Sequence, residues 1–301
     1  MTNHAIARSV VAVRTHIPED AFTASSLGTI REGSGVVIGK DGLVLTIGYL
    51  ITEANEVWLT TSEGHVMAAH VVGYDQQTGF GLVQALGDFD LPALELGDSA
   101  AANLGDAVTF ADGMGQSISA TLVAKQEFAG YWEYLLDEAM FIAPAHPSWG
   151  GAALVDASGK LIGIGSLRLQ MMQRGETADI NMVVPIALLP PILDDLLTKG
   201  QPEGPPRPWL GVFSAESDGQ VVVMSVAEEG PAAKAGIQRG DIISDVRDGE
   251  VDGLADFYRK LWQSGEAGTE VPMRIVRDGR ESWLRIKSAD RNSFLIKPQL
   301  Q

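Results

Sequence analysis

The chain has 301 residues, of which 45% are hydrophobic and 20% charged, enough for two or three hydrophobic cores at roughly 100–150 residues per domain. Its formal net charge of -17 repels phosphate backbones, so nucleic acid is not expected as a partner. Because cysteine is absent, disulfides, thiolate nucleophiles and thiolate metal sites are excluded, and the redox compartment stays open.

The N-terminal stretch shows no secretory leader, because its short apolar run is interrupted by Arg14. No later window approaches the roughly 18 uninterrupted apolar residues of a membrane span. Even VVPIALLPPILDDLL is broken by prolines and by two aspartates. We therefore expect no signal peptide and no membrane span.

From Ser9 to about Pro185 the sequence consists of short apolar or alternating runs separated by Gly and Asp turns. This pattern predicts many short strands, as in an all-β barrel or sandwich. ALLPPILDDLLTKG then predicts a short helix, and GQPEGPPRP predicts a stiff linker over residues 199–207.

Residues 208–289 alternate again and include two helical stretches, PAAKAG and LADFYRKLWQSG. A hairpin is predicted around Arg277-Asp278-Gly279-Arg280. These features predict a compact α+β module that can fold independently. Residues 290–301 are expected to form a loosely ordered tail.

Five motifs in order resemble those of the HtrA proteases, in which a trypsin-like double β-barrel precedes a PDZ domain. GSGVVIGKDGLVLTIGYLI is similar to GSGFIIxxDGxILTNxHVV, and VVGYDQQTGFGLVQA to VVGxDxxTDLALLKI. LELGDSAAANLGDAVTFADGMG, PSWGGAALVDASGKLIGIGS and NMVVP match the next three family motifs. The resemblance implies a mainly β fold, with the double barrel in residues 1–198 and the α+β PDZ domain in residues 208–289.

The resemblance places other residues at the family's catalytic positions. Tyr49 stands at the histidine, Gly79 at the aspartate and Trp149 at the serine, while Pro147 replaces a glycine whose N–H helps to bind the oxyanion. A phenol with a reference pKa near 10 is a poor base at neutral pH, and proline has no N–H to donate. These replacements predict a pseudoprotease, that is, a protein that is not an enzyme. Separately, no metal site and no cofactor are expected.

Ser148 is an alternative nucleophile, with His146 as its base. Ser148 is adjacent to the nucleophile position, Trp149, and adjacent residues of an extended segment point to opposite sides. His146 and Ser148 are two positions apart and meet only if the loop turns sharply. No third group is evident from the sequence. The favoured interpretation is that Ser148 is a turn residue and His146 a partly exposed loop residue. Residual endopeptidase activity through a shifted nucleophile stays the alternative.

Tyr49 and Trp149 are expected to fill the former catalytic cleft, since both are larger than the side chains that they replace. The alternative is an aromatic pocket that senses a small molecule or a peptide.

PWLGVF resembles the carboxylate-binding loop of PDZ domains, whose successive backbone N–H groups bind a peptide C-terminus. The residues implied for peptide binding are Trp209, Leu210, Gly211 and Val212, together with Phe257 and Leu261 on the following helix. The helix repeats apolar residues at i, i+3, i+4 and i+7, so part of this face must belong to the core. A core position is favoured for Phe257 or Leu261 taken singly, and one or two residues of the face are expected to line the peptide groove.

The resulting hypothesis is a scaffold, chaperone-like or regulatory protein in quality control that binds protein C-termini. The resemblance also implies an active HtrA-type protease as a partner and a homotrimer as the assembly. The family's usual location is the periplasm, whereas the missing signal peptide is compatible with the cytoplasm, so the compartment is left open.

Overall fold

The computed structural model describes residues 3–87, 90–173 and 176–296, so residues 297–301 of the predicted tail lie outside the described residues. Contacts divide the chain into two compact units. The barrel unit comprises the described parts of Met1–Gln126, Glu138–Glu203 and Leu295–Gln301. The C-terminal unit comprises Gly204–Phe294 and, in addition, the segment Glu127–Asp137.

Two closed barrels of antiparallel strands make up the barrel unit. The strands of the first barrel are β1 (Val10–His16), β2 (Ile30–Val37), β3 (Leu43–Ile47), β4 (Glu56–Thr60), β5 (Val66–Tyr74) and β6 (Phe80–Ala85). They follow the order β1-β2-β3-β6-β5-β4, and pairing of β4 with β1 closes the barrel. Leu45, Leu59 and Leu82 are fully buried, because alternate residues of each strand point into the barrel.

The second barrel follows the same plan. Its strands are β7 (Ala107–Ala111), β8 (Ser117–Gly130), β9 (Tyr134–Ala143), β10 (Ala153–Val155), β11 (Leu161–Gln173) and β12 (Glu176–Pro185). They follow the order β10-β11-β12-β9-β8-β7, and β7 pairs with β10 to close the barrel. The buried side chains of Phe110, Leu122 and Met140 lie in its core.

Short helices connect the strands of the barrel unit. They are α1 (Asn3–Arg8), α2 (Ala24–Leu27), α3 (Gly48–Ile51), a 3-10 turn (Ile186–Leu188) and α4 (Leu193–Lys199). The predicted helix in ALLPPILDDLLTKG is therefore split, because Pro190 and Pro191 separate the 3-10 turn from α4. Gly200 ends α4 in the left-handed conformation, with φ of 74°.

The C-terminal unit combines one sheet with two helices. Its strands are β13 (Val212–Ser217), β14 (Gln220–Val226), β15 (Ile242–Val246), β16 (Gly249–Glu250), β17 (Glu270–Arg277) and β18 (Arg280–Lys287). Its helices are α5 (Pro231–Lys234), α6 (Gly253–Trp262) and a 3-10 turn (Arg291–Phe294). The sheet order is β13-β14-β15-β17-β18, with β16 paired to β15, and the predicted hairpin joins β17 to β18.

The helix α6 shows how the sequence pattern produces the core of this unit. Leu254, Phe257, Tyr258 and Leu261 repeat at i, i+3, i+4 and i+7, and all four are buried in one cluster with strand residues. The predicted fold class, a mainly β double barrel followed by an α+β domain, is confirmed. In the three described ranges, no helix has the length and apolar character to cross a membrane.

Replacing Phe257 with alanine should destabilise the C-terminal unit strongly. The side chain is 0% exposed, so its removal leaves a cavity that costs about 3–5 kcal/mol. The matched control is Trp283→Ala on β18, where the ring is 55% exposed and the expected change is below about 1 kcal/mol. Urea unfolding followed by circular dichroism measures both; equal losses of stability would contradict the assignment of Phe257 to the core.

Candidate functional site

Tyr49, at the predicted histidine position, lies in α3 directly after β3. Its phenol donates a hydrogen bond to the backbone oxygen of Ser166 at 2.9 Å. The indole of Trp149 is hydrogen-bonded to Tyr49 and, having only an N–H donor, donates to the phenol oxygen. Burial raises the pKa of Tyr49 above its ordinary value, so the phenol stays neutral and does not act as a base near pH 7.

Trp149 is partly buried and packs against the core of the second barrel. Its hydrogen bond to Tyr49 brings the two aromatic side chains together, as expected for side chains that fill the cleft. A ligand pocket at this position stays a prediction.

Gly79, at the predicted aspartate position, belongs to the turn between β5 and β6. Its φ is 82°, a left-handed conformation that disfavours residues with a side chain. The same turn uses the carboxylate of Asp75, which accepts the N–H groups of Gln77 at 3.1 Å and Thr78 at 2.8 Å. Local turn formation therefore accounts for both Gly79 and Asp75.

Gly150 and Gly151 are required by close packing between the two barrels. A Cβ on Gly150 would lie 2.5 Å from the phenol oxygen of Tyr49. A Cβ on Gly151 would lie 1.8 Å from the backbone oxygen of Ser34, and the φ of Gly151 is 76°. The Gly-Gly pair that resembles the protease motif thus has a steric cause in this chain.

His146 and Ser148 do meet, because the loop turns sharply between them. The backbone N–H of Ser148 donates to Nδ1 of His146 at 3.0 Å, which leaves the ring proton of neutral His146 on Nε2. A protonated ring can instead donate from Nδ1 to the backbone oxygen of Ser148, 3.2 Å away. The expectation that His146 is a partly exposed loop residue is wrong: the residue is 1% exposed, and Asn181 accepts its backbone N–H at 2.6 Å.

Asp112 supplies the third group that the sequence did not reveal. Its Oδ2 lies 3.9 Å from Nε2 of His146, and Asp112 is 1% exposed. Oδ1 accepts the N–H groups of Met114 and Gln116, whereas Oδ2 is a buried oxygen without a hydrogen-bond partner in the described structure. Ser148, in contrast, is exposed to solvent. Aspartate, histidine and serine are therefore adjacent in that order, with the hydroxyl-bearing residue at the surface.

The carboxylate loop, which we define as Trp209–Val212, binds the side-chain carboxylate of Glu133, a residue of the same unit. The N–H groups of Gly211 and Val212 donate to Oε1 of Glu133 at 2.7 and 3.0 Å. The N–H of Leu210 is 3.2 Å from each of the two carboxylate oxygens. Gly211 permits this arrangement, because its φ of 76° turns successive N–H groups toward one point.

A tyrosine of α6 also contacts Glu133. Its backbone N–H donates to the hydroxyl of Tyr258 at 3.2 Å, and that hydroxyl donates to the backbone oxygen of Gly130 at 2.7 Å. Burial raises the pKa of Glu133 to about 7, although the three N–H donors and the charge of Arg291 act in the opposite direction. Burial and the charge of Glu133 together raise the pKa of Tyr258.

The other residues predicted for peptide binding are placed as follows. Trp209 pairs with Ala289 through two backbone hydrogen bonds of 3.0 Å, and its ring lies 4.9 Å from that of Phe294. Phe257 and Leu261 are fully buried in the core of the C-terminal unit. Their contact with a peptide stays a prediction.

Sequence reasoning missed Asp112 and Glu133. Asp112 lies in FADGMG, part of a motif noted only for its likeness to the family, and nothing local connects it to His146. Glu133 lies in FAGYWEYLL, between two strand-like runs. This pattern indicates a hairpin turn and nothing about the contacts of its side chains. Among the described residues, no cluster of three or more His, Asp or Glu side chains is arranged to hold a metal ion.

The titration of Glu133 should make stability depend on pH. With a pKa raised from 4.5 to about 7, the folded protein binds more protons than the unfolded chain in this window, so stability falls as pH rises through it. The expected loss of unfolding free energy across this pH range is about 3 kcal/mol, at 1.36 kcal/mol per pKa unit. Tyr258 and Arg291 face the same carboxylate, and the raised pKa of Tyr258 keeps its hydroxyl neutral throughout this window.

The measurement compares urea unfolding of the wild type and Glu133→Gln from pH 4 to pH 8. Glutamine keeps an oxygen acceptor and does not titrate, so the wild type should lose stability relative to the variant as pH rises. A difference between the two proteins that is constant over this range would contradict the buried, titrating carboxylate.

Two parts of the chain match known domain families. Residues 33–164 match the trypsin-like peptidase domain, and residues 208–287 match the PDZ domain. The chain is 26% identical over 286 residues to the serine protease Do-like HtrA of Bacillus subtilis (strain 168), covering 85% of this chain and 63% of that protein. It therefore spans less than two thirds of that relative's length.

A second relative and a solved structure show the same similarity to HtrA-type proteases. The chain is 27% identical over 260 residues to the serine endoprotease DegS of Haemophilus influenzae, covering 82% of this chain and 74% of that protein. The solved structure of the HtrA-type protease AlgW with decapeptide matches with a TM-score of 0.55 at 21% identity, covering 99% of this chain and 100% of that chain. At this identity, the structural match supports the fold alone.

The prediction that the protein is not an enzyme is contradicted. It depended on Tyr49, Gly79 and Trp149 at the catalytic positions, whereas the relatives are named serine proteases and endoproteases. These names point to an enzyme. The two domain matches and the two units together show that the chain combines a trypsin-like peptidase domain with a PDZ domain, the domain order of the HtrA-type serine proteases to which it is similar.

Proposed function

We propose that the chain acts as an HtrA-type serine endopeptidase that recruits polypeptides by their C-terminal carboxylate. The observation that carries this proposal is the convergence of three successive N–H groups, from Leu210, Gly211 and Val212, on one carboxylate at 2.7–3.2 Å. A peptide C-terminus offers the same two oxygens at the end of an extended chain, which PDZ domains bind by adding a strand to a sheet edge.

Strand addition at this edge is supported by β13. This strand pairs with β14 on one side only, and the N–H of Ser214 donates outward to the backbone oxygen of Tyr131 at 2.9 Å. The edge thus accepts an extended segment beside β13 while the carboxylate loop binds the end of that segment. Backbone hydrogen bonds of this kind give affinity with little dependence on sequence.

The peptidase activity is assigned to Asp112, His146 and Ser148. In this mechanism, Nδ1 of His146 gives up the hydrogen bond from the backbone N–H of Ser148 and accepts one from the Ser148 hydroxyl. It then takes the hydroxyl proton while Oγ attacks the peptide carbonyl carbon. The proton then passes to the leaving amine nitrogen as the C–N bond breaks, and water hydrolyses the acyl ester. Asp112 stabilises the imidazolium through Nε2, from which its carboxylate is 3.9 Å away.

The geometry of these residues supports the assignment over the family positions. Tyr49 is a neutral phenol bonded to Ser166, and Trp149 offers only an N–H donor, so neither can serve as a nucleophile or base. Ser148 is exposed, buried His146 contacts its backbone, and buried Asp112 lies 3.9 Å from the far nitrogen of His146. A homotrimer and an active protease partner remain predictions from the resemblance.

Ser148→Ala should abolish labelling of the protein by a fluorophosphonate probe, because the probe reacts with an activated serine hydroxyl. His146→Ala should slow labelling and casein cleavage by roughly 100- to 10,000-fold, the usual contribution of a general base. In-gel fluorescence and release of labelled casein fragments measure both. The matched control is Ser119→Ala, an exposed serine on β8. Absence of labelling in the wild type would contradict the endopeptidase assignment.

A peptide with a free C-terminus should bind more tightly than the same peptide with an amidated C-terminus. The amide removes the charge that three backbone N–H groups bind, and a charge-assisted hydrogen bond is about twice as strong as a neutral one. Fluorescence anisotropy of a dye-labelled peptide ending in valine gives both affinities. Equal affinities would contradict recruitment through the carboxylate loop.

A further inference from the structure

The carboxylate loop is occupied by the hairpin tip, which we define as Glu127–Asp137. The tip belongs to the same compact unit as the sheet that it contacts. Its end residue, Glu133, is only 5% exposed and fills the loop with its side-chain carboxylate. The mechanism proposed above uses none of these tip residues, so the occupancy needs a separate explanation.

The tip lies in the position and register of a bound peptide. Ser214, two residues after Val212, donates to the backbone oxygen of Tyr131, which is two residues before Glu133. Glu133 therefore stands where the last residue of a peptide would stand, and its side chain supplies the carboxylate that the chain terminus would provide. Its φ of 56° turns the chain away from β13 and lets the hairpin continue into β9.

Other contacts hold the tip along its length. Ala129 and Leu135 pack against the core of the C-terminal unit. Arg259 on α6 forms ion pairs with Glu127 at 2.5 Å and with Asp137 at 2.7 Å, one on each side of the tip. The ring of Tyr131 lies 6.2 Å from that of Phe213. Apolar, ionic and backbone contacts thus act together with the carboxylate.

We infer that the hairpin tip is a built-in ligand of the PDZ domain, and that a peptide C-terminus binds the carboxylate loop only by displacing Glu133. The inference rests on the proposed function, since it concerns regulation of the same loop. Both carboxylates need the same three N–H donors, so the two ligands exclude each other.

The tip has a large advantage over a free peptide, because it is tethered. An intramolecular ligand on a short connection competes at an effective concentration of about millimolar or more. The apparent affinity for a peptide is then reduced by the fraction of molecules in which the loop is open. A loop that is open in one molecule in ten or fewer therefore weakens peptide binding by about tenfold or more.

The experiment measures binding of the fluorescein-labelled peptide EFAGYWV, which copies residues 127–132 and ends in a valine with a free carboxylate. The full-length wild type, Glu133→Ala and a tip variant with residues 128–134 replaced by a Gly-Ser linker are compared by anisotropy. Both variants should bind the peptide about tenfold or more tightly than the wild type. Glu138→Ala, an exposed glutamate of β9 that pairs with Lys125, is the matched control and should bind like the wild type.

Equal affinity of the wild type, Glu133→Ala and the tip variant would overturn the built-in ligand while leaving peptide recruitment intact. Failure of all of them to bind, including the tip variant with its open loop, would overturn recruitment and this inference with it. The amide NMR signals of Gly211 and Val212 give a second measurement that needs no peptide. They should shift in Glu133→Ala and remain in place in Glu138→Ala; unchanged signals in both would contradict the occupancy.

Discussion

The C-terminal unit depends on one interaction, the binding of the Glu133 carboxylate by three successive backbone N–H groups. A buried N–H without a partner costs about 1–3 kcal/mol, so a loop that exposes three such donors needs an anion, water or another acceptor. Glu133 satisfies them from within the chain. The position of the hairpin tip follows from this contact, and the burial of the carboxylate raises its pKa against the opposing effect of the three donors.

A different constraint shapes the cleft of the barrel unit. Tyr49, Trp149 and Gly150 pack so closely that a single Cβ on Gly150 would collide with the phenol oxygen. The loop that contains Ser148 therefore keeps a Gly-Gly turn like that of a trypsin-like protease, while the side chains of Tyr49 and Trp149 occupy the cleft. Of the residues that we propose for peptidase activity, Asp112 and His146 are buried and Ser148 is exposed.

Much of the fold could be predicted from the sequence, because periodicity and turn residues act over a few neighbouring positions. Alternation identified the strands, the spacing of Phe257 and Leu261 identified the buried face of α6, and PWLGVF marked the carboxylate loop. Glu133 and Asp112 could not be predicted in this way. Glu133 meets a loop 78 positions away, and Asp112 meets His146 only after two strands of the barrel have paired. Such contacts are determined by tertiary closure rather than by local pattern.

The conformation of Glu133 adds an energetic consequence. A non-glycine residue in the left-handed region is strained by roughly 1–2 kcal/mol, and glutamate is not among the residues that tolerate it best. Glu133 carries this strain, with φ of 56°, in the state in which its carboxylate is bound. Releasing the carboxylate removes one of the contacts that hold this conformation, so the strain reduces the free-energy advantage of the closed loop over the open one. In the hairpin tip, hydrogen bonds to the carboxylate favour the closed state, and the backbone strain of Glu133 opposes it.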